Sequence, residues 1–176
     1  MIYFLDLGGW KCDSVGVLKK KRDCKAEIKT HSFEPAADLK KYYKNKKDIV
    51  HHDVAAWIYD GEIDFYLGKD KKQRPLSQAS SLIPSKNNVD SSDPVKVECI
   101  DFSKWVIDNF DKEDYIILKL DIEGAEYDVL EKMLEDNSID YINELYVEFH
   151  YKKCDIPKKR HQYLIERLPL EVGNWE

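Results

Sequence analysis

Two carboxylates, Asp121 and Glu123, directly follow the most apolar run of the chain, in YIILKLDIEGAEYDVL at 115–130. An acid in such a place holds a cation or polar ligand, or accepts a proton. The structural alternative is that both cap the following helix and favour its dipole. A second pair, Glu148 and His150, ends the segment LYVEFH. Side chains two apart in a strand share a face, and histidine titrates near neutrality. Asp121, Glu123, Glu148 and His150 are therefore the candidate general bases. Asp121 with Glu148 or His150 can also bridge a divalent metal, and oxygen-rich ligation suits Mg2+ or Mn2+. Such an ion lowers a hydroxyl's pKa as it does for bound water. Glu126 reads as a first-turn acid matched to the helix dipole.

Three more acids end earlier apolar runs. Asp6 leads into Leu7, Gly8, Gly9 and Trp10. Glycine lets a backbone approach a ligand closely, and a helix N-terminus offers free N–H groups. The full G-x-G-x-x-G is absent, so a pyrophosphate-binding dinucleotide site is not supported. Glu34, followed by Pro35, lies 28 positions after Asp6. Rossmann-like proteins place a carboxylate about there to accept from a ribose diol; the alternative is a cap ahead of a helix begun by Pro35. Asp53 can accept from an adenine amino group. His51 and His52 are consecutive and point to opposite faces of a strand, so they cannot share one metal and read as packing or surface residues.

Strands must end where these acids stand. The pattern predicts strands over 2–7, 26–33, 48–55, 62–67, 95–100, 115–120 and 145–149, and helices over 15–22, 38–47 and 157–168. A further helix follows Asp101, carrying Phe102, Trp105, Val106 and Phe110. Ala125, Val129, Leu130, Met133 and Leu134 form the stripe of another. The alternation predicts an α/β, Rossmann-like fold: a mostly parallel central sheet with helices on both faces. A seven-stranded sheet wants one or two more strands beyond 170–176. Residues 68–94 are irregular and polar, and read as a substrate-side loop.

At 176 residues the chain is expected to be one domain, 1–176, with a real core. A net charge of −6 argues against a general nucleic-acid binder. The lysine-rich runs at 19–22, 40–47, 69–72 and 152–160 read as solvated faces or loops. Cysteines 12, 24, 99 and 154 form no C-x-x-C pair, which argues against a zinc site of the usual spacing and for a reducing, cytoplasmic setting. No apolar run approaches the ~18–20 residues of a membrane span.

DLGGW at 6–10, FEP at 33–35, SSL at 80–82, LKLDIEGAEYDVL at 118–130 and VEFH at 147–150 resemble the FkbM family of methyltransferases, over roughly residues 2–152. The resemblance implies a class I methyltransferase core and S-adenosylmethionine-dependent methyl transfer to a hydroxyl of a sugar, glycan or other small molecule. It puts Asp6, Gly8 and Gly9, with Leu7 and Trp10 between and beside them, at the methionine end of the cofactor. Glu34 and Pro35 fall at the ribose, Asp53, Val54 and Ala55 around the adenine, and Asp121 beside the methyl donor. The family's first motif carries another glycine near the position of Cys12. Two other readings compete: a degenerate methyltransferase fold used as a binding module, and a nicotinamide-dependent oxidoreductase, which would lack its glycine fingerprint.

Overall fold

The computed structural model describes residues 1–22, 27–69 and 79–175. The central sheet is built from β1 (Ile2–Leu7), β2 (Ile28–Phe33), β3 (Ile49–His52), β7 (Tyr115–Leu120), β8 (Ile142–Val147) and β9 (Val172–Gly173). Its order is β3-β2-β1-β7-β8-β9, and every neighbouring pair is parallel. A smaller sheet holds β4 (Ala55–Trp57), β6 (Val95–Asp101) and β5 (Gly61–Phe65), in that order. Strand order reverses between β1 and β7, and ligands of open α/β sheets bind in the crevice beyond the strand ends at such a point.

Strand alternation sorts the core onto two faces. Leu5, Leu7, Ile116, Leu118 and Leu120 meet α2 (Phe102–Asn109), α3 (Glu126–Glu135) and α4 (Lys158–Arg167). Phe4 and Ile117 face the other way, onto Leu18 of α1 (Asp13–Arg22) and the ring of Trp175. Helices therefore cover both faces, as the near-continuous apolar runs of β1 and β7 require. Asp101 caps α2, accepting from the Lys104 N–H at 3.0 Å. Val129, Leu130 and Met133 bury the predicted stripe of α3.

Several elements differ from the sequence pattern. The helix expected over 38–47 is only a 3-10 turn, Lys40–Tyr42. Five lysines crowd that segment, and Tyr43 turns inward to stack on His51 at 3.8 Å while Tyr42 stays exposed. The strand expected over 48–55 breaks at Asp53–Val54: β3 stays in the main sheet, and β4 leaves to pair with Cys99–Asp101. The strand expected at 145–149 lies three residues earlier at its start and ends at Val147, so Glu148 and His150 sit on the loop beyond it. One short strand, β9, completes the C-terminal edge. Of the expected loop at 68–94, residues 70–78 lie outside the described residues, as does Ala26 of the expected second strand. No helix among the described residues is long and apolar enough to cross a membrane.

Candidate functional site

Four strand ends, those of β2, β1, β7 and β8, are stitched together by backbone hydrogen bonds. The Asp121 N–H donates to Leu7 O at 3.0 Å, and the Glu148 N–H donates to Leu120 O at 2.9 Å. The Gly8 N–H donates to Phe33 O at 3.0 Å. Gly8 has φ +77, and a Cβ there would sit 1.9 Å from the Asp121 carbonyl oxygen, so only glycine allows this approach. Cys12, where the resemblance leads one to expect another glycine, also adopts a left-handed backbone, with φ 66. Its thiol is buried beside Tyr43, away from the cavity described next, and burial pushes its pKa up.

A cavity of ≈ 260 Å³ opens at this junction. Gly8 and Asp121 lie at its base, Glu34 and Pro35 on one side, and Ala55, Phe65, Leu82 and Ile122 supply apolar wall. Glu123, Glu148 and Lys153 complete the lining. A second cavity shares Gly8, Trp10, Asp121 and Glu148 with it and continues past Asp13, Ser14 and Trp175. The two therefore meet along the line from Gly8 to Glu148.

Glu34 is 7% exposed. Its Oε2 accepts from the Trp10 N–H at 3.1 Å and its Oε1 from the Ala36 N–H at 3.0 Å. Burial raises its pKa to about 7, against the opposing pull of those two donors. Asp121 is raised to about 6 by burial, with Lys119 pulling it down and Glu148 and Glu123 pushing it up.

The chemistry-bearing side chains gather around His150, which is 2% exposed. Its Nδ1 lies 3.0 Å from Glu126 Oε1. Its Nε2 lies 3.3 Å from Glu148 Oε1, 3.4 Å from Glu123 Oε2 and 4.0 Å from Asp121 Oδ1. Burial works against an imidazolium here, but the Glu126 hydrogen bond and the surrounding acids outweigh it and raise the pKa. All four candidate bases therefore meet in one place. Ligand atoms of Asp121, Glu123 and His150 lie within 4.8 Å of one another. That set takes Glu123 where the sequence pattern offered Glu148.

Other sequence candidates lie elsewhere. Asp6 is fully buried beneath the glycine turn, its Oδ1 3.2 Å from Lys119 Nζ. Lys119 also reaches Asp121 at 3.7 Å, so it links Asp6 to the cavity floor from behind. Burial opposes the charge on Lys119, and Asp6 and Asp121 more than restore it, which raises its pKa. Leu7 is core, and Val54 packs against the core rather than lining the cavity. Asp53 pairs with Lys40 at 2.5 Å on the surface, so the wall near it is made by Ala55 and Ala56. His52 stacks on Phe33 at 4.3 Å, a packing role like that of His51.

Three residues of the site escaped the sequence reading. Glu126 is a first-turn acid of α3, as expected, but one turned inward. It is fully buried and accepts from the Ile122 N–H at 3.0 Å and the Gly124 N–H at 3.1 Å. Lys86 is fully buried as well; its ammonium lies 2.8 Å from Glu123 Oε2 and donates to Ala79 O and Asn88 Oδ1. Lys119 did carry a signal. A single charge inside YIILKL must be buried in a central strand, and a buried charge needs a partner.

Beside this geometry stand the comparisons with known proteins. Neither the curated proteins nor the solved structures gave a significant match. The model of the FkbM methyltransferase domain matches residues 12–173, which takes in β7, its acids, the Glu126–His150 pair and all but β1 of the central sheet. The chain that folds these acids into one strand-end junction thus belongs to the FkbM methyltransferase family.

Proposed function

We propose that this chain is an S-adenosylmethionine-dependent O-methyltransferase whose acceptor is a hydroxyl of a sugar, glycan or other small molecule. The single observation that carries the reading is that Glu34 and Asp121 line one cavity over the left-handed Gly8, at the point where strand order reverses. The residues present fit the cofactor. Gly8 lets the turn after β1 lie against the Asp121 backbone, which brings Asp121 to the cavity floor. Glu34 would hold the ribose diol, Ala55, Ala56, Phe65 and Leu82 offer an apolar slot for the adenine, and Asp121 would lie beside the positive centre. When bound, the cofactor supplies an activated methyl group on a sulfonium.

The protein then has two tasks. Holding donor and acceptor in line can contribute about 7–11 kcal/mol through effective molarity. Taking the hydroxyl proton typically adds about 10²–10⁴-fold. Glu148 is the group placed for the second. Its side chain is 57% exposed, it borders both cavities, and its Oε1 lies beside the His150 ring. Positioning should therefore matter more than the base.

Calorimetry with S-adenosylhomocysteine tests this. One-to-one binding is expected, abolished by Glu34→Ala. Full affinity in that variant would refute the assignment. Binding of a nicotinamide dinucleotide in its place would favour the oxidoreductase, and cofactor binding without methyl transfer to any hydroxyl acceptor would favour a binding module.

A further inference from the structure

The His150 ring poses a question that the cofactor does not answer. Glu126 already accepts from the Ile122 and Gly124 N–H groups. A carboxylate held this way accepts only, so His150 Nδ1 donates to it and Nε2 points the other way. Nε2 is buried and has no hydrogen-bond partner. It faces oxygens of Glu148, Glu123 and Asp121. Around the ring stand four acids, Asp121, Glu123, Glu126 and Glu148; Lys86 holds Glu123, Lys119 is shared between Asp6 and Asp121, and Lys153 lines the cavity. A buried ring nitrogen that faces three carboxylates without a hydrogen bond leaves room for a cation among them.

We propose that Asp121, Glu123 and His150 bind a divalent metal ion, with Glu126 as the positioning residue that fixes the imidazole. The three ligand atoms lie within 4.8 Å of one another. Bonds of about 2.0–2.2 Å to one ion place ligand atoms roughly 3–4.4 Å apart, so a small closure suffices. A carboxylate on the far nitrogen of a ligating histidine is the usual outer support of such a site: it sets the tautomer and raises the ring's basicity. Lys86 holds Oε2 of Glu123 and leaves that carboxylate a second oxygen. Glu123 itself sits in the left-handed region at φ 57, tied down by Ser81, whose Oγ donates to Glu123 O at 2.6 Å. Strain of this kind persists only where the surroundings enforce it. One nitrogen and two carboxylates suit Mn2+ or a similar first-row ion better than Mg2+, which favours an all-oxygen octahedron. What the ion would do rests on the methyl-transfer reading: it would take the acceptor hydroxyl and lower its pKa, while Glu148 accepts the proton.

The test titrates the full chain, stripped by a chelator and free of cofactor, with Mn2+ alone, followed by calorimetry and electron paramagnetic resonance. One saturable site per chain is expected, with spin-echo modulation from one imidazole nitrogen. His150→Gln should remove that modulation and weaken binding by at least ~10-fold, and Glu126→Gln should weaken it ~10–100-fold. If His150→Gln does not fold, Asp121→Asn, whose side chain is 31% exposed, should weaken Mn2+ binding by at least ~10-fold while keeping the nitrogen modulation. Absence of a saturable site, or a site without nitrogen modulation whose affinity these variants leave unchanged, overturns the proposal. S-adenosylhomocysteine binding in chelator keeps the two ideas apart. Cofactor binding with no Mn2+ site sinks the metal alone; an Mn2+ site with no cofactor binding sinks methyl transfer alone.

Discussion

Glu34→Gln should gain stability on its parent as pH rises, in the cofactor-free protein, even as it damages cofactor binding. The folded chain holds Glu34 near 7 because it is buried, while the unfolded chain returns it to its ordinary 4.5. The folded state therefore keeps the proton longer. For an acid shifted up in this way, stability is greatest below about 4.5, falls as pH climbs to about 7, and is flat beyond. The loss is about 1 kcal/mol at about pH 5.5 and about 3 kcal/mol at about pH 8.5. Glutamine does not titrate, so it escapes this loss. It does turn one acceptor oxygen into a donor, facing either the Trp10 or the Ala36 N–H, at a constant cost of about 1–3 kcal/mol. The constant part cancels when one pH is compared with another. Between those two pH values the variant should gain about 2 kcal/mol on its parent, or about 4–8 °C in Tm for a chain of this length. Paired thermal melts of parent and variant, without cofactor, measure it. Melting curves whose separation stays the same across that range would refute the reasoning, because Glu34 would then titrate alike in the folded and unfolded states.

Three other perturbations separate site from scaffold. Glu148→Gln should lower kcat by about 10²–10⁴-fold while S-adenosylhomocysteine affinity, read by calorimetry, stays within about twofold. Asp6→Asn should act through Lys119, stranding its buried ammonium and costing about 3–5 kcal/mol in chemical denaturation. The double variant Asp6→Asn with Lys119→Met should recover much of that, and additive losses would deny the pairing. Gly8→Ala should lose folding or cofactor binding outright, because its Cβ would fall 1.9 Å from the Asp121 carbonyl oxygen; a wild-type melt and wild-type affinity would show that the turn can open.

The sheet was legible because burial on both faces leaves a plain record. The runs of β1 and β7 are apolar at nearly every position, and only a parallel strand covered on both sides needs that. Glu34 was legible by its spacing, since a β-α-β unit of ordinary size sets the distance from first to second strand tip. Asp53 was not. It sits where the chain leaves one sheet for another, and that choice is made by the partner strand β6, more than 40 residues further on. The helix over 38–47 failed for a related reason: Tyr43 finds His51 and Ser32 inside, and that packing outweighs the local helical pattern.

The acids of the site show the same limit more sharply, because one residue type in one sequence context does opposite jobs. Asp6 and Asp121 each end a central strand, and a sequence gives no means of telling them apart. Register does. Asp6 stands opposite Lys119 on the α1 face, so its carboxylate is neutralised inside the sheet, whereas Asp121 comes one residue after the last paired position, Leu120, and turns up into the cavity. Glu126, in the first turn of α3, and Glu123, in the turn just before it, are likewise close together in sequence. Glu126 is drawn fully inward by the N–H groups of Ile122 and Gly124, and it turns the His150 ring toward Glu123, which Lys86 holds from a loop nearly 40 residues away in sequence. Neither Lys86 nor His150 is near these acids in the chain, so no local pattern could assign the roles. What sequence preserves is the need for compensation: a lysine inside an apolar strand, or a histidine just beyond one, marks a charge that the fold must answer.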